Sequence, residues 1–125
     1  MQNPSAPSKF IWLPRILAIL FLLFLMLFSF DVFDMPGSLL EKIGGFIIHS
    51  LPSIILAVIL ILFWNNPLRS GIAFLVYTVL FNLAFKFILQ GWDIFVFLSL
   101  PLLLISALFL AAHRMQSRTL PPVQG

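Results

Sequence analysis

The sequence predicts an all-α fold, an integral membrane four-helix bundle with both termini cytoplasmic. Three observations predict it. First, the charged residues, seven Lys and Arg and four Asp and Glu, lie at the edges of four uncharged runs, Ile16 to Phe30, Ile43 to Leu68, Ser70 to Phe85 and Ile94 to His113. A helix needs about 20 mainly apolar residues to cross the hydrocarbon core, and Arg15 and Asp31, flanking the shortest run, can reach the interfaces by snorkelling. Second, 62% of residues are hydrophobic, 9% are charged and mean hydropathy is +1.14, which no water-soluble core of this length requires. Third, entry of the first run from the cytoplasm puts Lys9, Arg15, Arg69, Arg114 and Arg118 inside and only Lys42 and Lys86 outside. The pI near 10.0 does not imply nucleic acid, because the basic residues are scattered over separate loops. With no cysteine, disulfides, thiolate metal sites and cysteine lipid anchors are excluded.

In chain order, residues 1–8 form a polar amino-terminal tail, residues 9–114 a single four-helix transmembrane domain with spans at about 11–32, 39–64, 68–90 and 93–113, and residues 115–125 a polar carboxy-terminal tail. The first span is an uncleaved anchor, since Phe28-Ser29-Phe30-Asp31-Val32-Phe33 offers no small-x-small cleavage site. Asp34-Met35-Pro36-Gly37 is turn chemistry, and Ser38-Leu39-Leu40-Glu41 has the form of a capping box that starts the second helix near Leu39. A bend is expected at Gly44-Gly45. Asn65-Asn66-Pro67 makes a tight inner link, and Gln90-Gly91-Trp92-Asp93 a tighter outer one, with Gly91 as C-cap and Asp93 as N-cap. Such short links make spans two, three and four antiparallel neighbours. Trp12 and Trp64 fall at the inner interface and Trp92 at the outer one.

Polar residues inside spans mark where chemistry or packing would occur. Thr78, Asn82, Lys86 and Gln90 recur every four residues and form one slowly winding stripe on the third span. The stripe reads as helix-helix glue with Lys86 snorkelling outward, or as the wall of a polar cavity. Ser99 and Ser106 share a seven-residue spacing on the fourth span, which marks close packing. His49 is expected about one turn inside the outer end of the second span, and the topology collects Asp31, Asp34, Lys86 and Asp93 at the same rim. The candidate polar site is therefore His49, Lys86, Asp31, Asp34, Asp93, Asn82 and Thr78. Imidazole with carboxylates can bind a divalent metal or pass protons. Metal-ligand spacings such as H-x-x-x-H are absent, however, and pairing of Lys86 with a carboxylate is the structural alternative. No catalytic residue, cofactor site or metal site is assigned. A bis-histidine haem would need His49 and His113 at similar depth, whereas they stand at opposite ends, and a serine hydrolase would need a G-x-S-x-G that does not occur.

Trp12-x-x-Arg15, the Phe-rich first span ending in Phe28-x-x-Asp31-Val32-Phe33, His49-x-x-Pro52, Trp64 and Pro101 together resemble an uncharacterised family of small four-span prokaryotic membrane proteins. The resemblance implies a compact four-helix protein of a prokaryotic cytoplasmic membrane and no established activity. Small multidrug exporters share the size and span count, but they rely on a carboxylate embedded in the first span, and this span has none before Asp31. The expected function is that of a non-enzymatic structural or assembly component, with the lipid bilayer, other membrane subunits or a homo-oligomer as partners. The alternative is a small transporter or channel whose solute enters through the outer polar residues.

Overall fold

The computed structural model describes residues 9–86 and 91–119, and these are all-helical apart from the connecting turns. A 3-10 turn at Lys9–Ile11 leads into α1 (Trp12–Phe30), and a second 3-10 turn at Asp31–Asp34 extends it. Then follow α2 (Leu39–Leu62), α3 (Pro67–Phe85) and α4 (Trp92–Thr119). All four helices are long and apolar enough to cross a membrane.

Local sequence explains the boundaries. The Ser38 side chain accepts from Glu41 N while the Glu41 carboxylate accepts from Ser38 N at 2.8 Å, completing the capping box expected there. Asn66 caps α3 by accepting from Arg69 N at 3.1 Å, with Pro67 in the first turn, where its missing N–H is no loss. Helix α2 runs without interruption through Gly44, Gly45 and Pro52. The outer link differs from expectation. Helix α3 stops at Phe85 with Lys86 as a left-handed C-cap (φ 52°, ψ 41°), while Gly91 (φ 146°) precedes α4 and Asp93 lies in its first turn rather than capping it. Gln90, the last member of the predicted stripe, lies outside the described residues. Helix α4 continues past His113 to Thr119, because Arg114, Met115 and Gln116 favour helix and the first breaker is Pro121.

The helices form two tightly packed antiparallel hairpins, α1 with α2 and α3 with α4. They join through α1 against α4 and, more thinly, α2 against α3; the expected neighbourhood of α2 and α3 exists but is the weaker one. Ile11, Ala18, Phe21 and Leu25 of the first segment meet Leu56 and Leu60, Phe74 and Tyr77, and Leu102, Ile105, Phe109 and Ala112 in one core. The turn at Lys9–Ile11 also contacts α4, so the start of α1 and the later part of α4 share one end of the bundle. This end is called the basic end below.

The distribution of polarity is inverted relative to a water-soluble protein. Ser29, Ser50, Ser53, Ser70, Thr78, Ser99 and Ser106 are buried, while Leu20, Leu27, Ile48, Ile61, Leu80 and Leu104 are among the large hydrophobics left exposed.

Candidate functional site

The sequence-predicted polar residues divide into two groups. Thr78 is buried and Asn82 half-buried between α3 and α4, whereas Asp31, Asp34, His49, Lys86 and Asp93 are exposed. Among the described residues, no group of three or more His, Asp or Glu could hold a metal, and no ion pair joins Lys86 to a carboxylate. The cation that does find a partner at this end is Lys42, whose Nζ donates to Phe33 O at 2.9 Å.

His49 requires a correction of depth. Because α2 starts at Leu39, His49 is almost three turns along it, about 15 Å from the helix start, and not one turn inside. It shares a helical stripe with the buried Ser53, Leu56 and Leu60, yet is itself exposed. At His49 this stripe of α2 is therefore uncovered. Tyr77 ties the two hairpins together just below, its hydroxyl donating to Pro52 O at 3.0 Å.

The stripe on α3 works as a fastener. Thr78 Oγ1 donates to Phe74 O at 2.7 Å and Asn82 Nδ2 to Thr78 O at 2.8 Å, which orients the Asn82 amide so that its Oδ1 accepts from Ser99 Oγ at 2.9 Å. Two turns further along α4, Ser106 Oγ donates to Gly71 O at 2.7 Å, and Ser70 Oγ donates to Phe63 O at 2.8 Å. The seven-residue serine spacing thus does place two serines on the α3 interface. The two interhelical bonds, Ser99 to Asn82 and Ser106 to Gly71, are of the kind that contributes roughly 0.6 to 2 kcal/mol between helices in a bilayer.

The least expected group is at the basic end. Arg15 does not snorkel: it is 5% exposed, and its Nη2 donates to Trp64 O in the α2–α3 turn at 2.8 Å. Its guanidinium carbon stands 4.2 Å from the Trp64 ring centroid and 5.2 Å from that of Trp12, and the two indoles meet edge to face at 6.0 Å. The cation–π contact with Trp64 contributes about 2 kcal/mol, that with the half-exposed Trp12 about 0.5 to 1, and the charged hydrogen bond roughly 1.5 to 3. Against these stands a desolvation penalty of several kcal/mol for a buried ion, and Arg15 Nε is buried with no hydrogen-bond partner. The opposing terms are of similar size, and no carboxylate tips the balance. Trp12-x-x-Arg15 carried a usable signal, since i, i+3 spacing puts both side chains on one helix face. What could not be read locally was that Trp64, 49 positions away, supplies the second wall.

An open apolar groove of about 250 Å³ runs between α1 and α4, lined by Leu17, Leu20, Phe21, Pro101, Leu104 and Ile105. It offers dispersion contacts and no directional chemistry.

The chain belongs to a family described as a domain of unknown function, DUF7670, which it matches over residues 1–121. No curated protein and no solved structure matches it.

Proposed function

We propose that this member of a family of unknown function is a non-enzymatic integral membrane protein, both termini cytoplasmic, that serves as a structural or assembly component by packing against other membrane subunits or itself. The observation that carries this reading is the use of the interior polar groups. Asn82 with Ser99, Ser106 with Gly71, Ser70 with Phe63 and Tyr77 with Pro52 make bonds that hold helices and turns together, so the described interior is a fastened scaffold with an apolar exterior available to a partner. Helix α2 is the least covered, with 22% of its apolar window buried, and presents Ile47, Leu51, Ile54, Ile55 and Val58 outward. The test is particle mass after extraction into native polymer discs. A species larger than one 14.2 kDa chain, held by self-association or a co-extracted subunit, is expected; a single partnerless chain at native expression overturns the assembly role.

The exposed His49 on the core-facing stripe of α2 favours one second reading, a small transporter or channel whose solute enters at that opening. Liposome flux should then fall in His49→Ala and Lys86→Ala, and unchanged flux in both removes it.

A further inference from the structure

Arg15 carries a buried charge with no counter-ion among the described residues. All four carboxylates, Asp31, Asp34, Glu41 and Asp93, belong to the segments at the opposite end of the bundle, and the 3-10 turns and helix starts around Arg15 contain none. At the basic end Lys9, Arg69 and Arg114 are exposed and add charge of the same sign. Arg15 is 5% exposed and its Nε donor is unpartnered, so donor capacity and charge are both left over after the bond to Trp64 O. Trp12, one of the two indoles beside the guanidinium, is 50% exposed, and an indole half in and half out of the protein suits the headgroup level of a bilayer.

From this we infer that the basic end holds an anionic phospholipid, whose phosphate sits over Trp12 as the counter-ion of Arg15. A phosphate diester fits better than a carboxylate side chain of a protein partner. The site lies where lipid headgroups are already concentrated, and cations near that surface attract anionic lipid, about fivefold for each Lys or Arg. Arg also suits the ligand, because its planar fork binds phosphate oxygens while its faces remain stacked on aromatic rings. The inference rests on the membrane reading proposed above.

The test uses the chain with Trp92→Phe, so that fluorescence reports only Trp12 and Trp64. It is reconstituted in phosphatidylcholine vesicles containing a small fraction of brominated phosphatidylglycerol or, in parallel, brominated phosphatidylcholine. Quenching should favour the anionic lipid, and that preference should fall about fivefold in Arg15→Gln and by less in Arg69→Gln. Equal quenching by the two lipids in the parent chain overturns the site without any recourse to variants that risk misfolding. A preference that Arg15→Gln lowers no more than Arg69→Gln does also overturns it, since the exposed rim alone would then suffice. Inorganic phosphate is added against a chloride control of matched ionic strength. Loss of the preference with phosphate only would mean a free phosphate occupies the site and would overturn the lipid assignment. Absence of quenching by either lipid would be a failure of membrane insertion itself and is distinguishable from all of these.

Discussion

Lys86 shows how one residue sets a helix end. It holds φ 52°, a left-handed conformation that costs a residue bearing Cβ about 1 kcal/mol or more. Lys86→Gly removes that strain, so thermal unfolding in detergent should show a gain of about 1 kcal/mol, whereas Lys86→Ala, which keeps Cβ, should show none of it. Asn82 and Ser99 make a complementary case, in which a side chain fastens two helices. Either residue changed to Ala loses the 2.9 Å bond between them. A double-mutant cycle should return a coupling of roughly 0.6 kcal/mol, and additive effects would show that the bond contributes nothing. Arg15 is the residue least legible in advance. Its position beside the first run marked it as an interfacial cation, and only the fold brings the Trp64 ring to 4.2 Å from its guanidinium carbon.

At the scale of elements, glycine decides how closely α3 approaches α4. A Cβ built on Gly71 would lie 2.8 Å from Leu110 Cγ and 3.2 Å from Leu110 N, so backbone as well as side chain would have to move. Gly71→Ala should therefore destabilise by about 1 to 3 kcal/mol and weaken the Ser106 bond to the Gly71 carbonyl. Gly44 is the control. Nothing lies within 4 Å of a Cβ there, and Gly44→Ala should be neutral or stabilising by up to about 1 kcal/mol. If both variants unfolded at the same denaturant concentration, the close approach of α3 and α4 would have no energetic meaning. The four helices were legible because charge spacing and capping residues are local signals: Ser38 with Glu41 and Asn66 with Pro67 start helices where their sequence says they should. The outer link was not, since Gly91 and Asp93 offered a plausible cap pair and nothing local revealed that α3 stops earlier, at Phe85. Pairing strength was equally hidden. A short link between α2 and α3 forces them to be adjacent but does not make their faces complementary, and the structure couples α2 to α1 and α3 to α4 instead.

Over the whole molecule, charge is sorted by end, with Lys42 and Lys86 the exceptions. Lys9, Arg15, Arg69 and Arg114 accompany the starts of α1 and α3 and the later part of α4, while Asp31, Asp34, Glu41 and Asp93 accompany the other end. Because basic residues are retained on the cytoplasmic side during insertion, this sorting predicts which end faces which compartment. The chain has no cysteine, so single-cysteine variants give a clean reading. Met35→Cys lies in the turn between α1 and α2, is exposed, and should react with a membrane-impermeant maleimide in intact cells. Ser117→Cys, exposed near the end of α4, should react only after the membrane is permeabilised. The reverse pattern would place the basic end outside. The four-span fold would survive that result, but the cytoplasmic assignment of the termini would not, and His49 would then open toward the cytoplasm. Labelling of both sites in intact cells would mean that the two ends are not separated by a bilayer, against the membrane reading itself. The two-site comparison therefore tests the premise shared by the scaffold, the His49 opening and the lipid site at Arg15, which all depend on which solvent each end of the bundle meets.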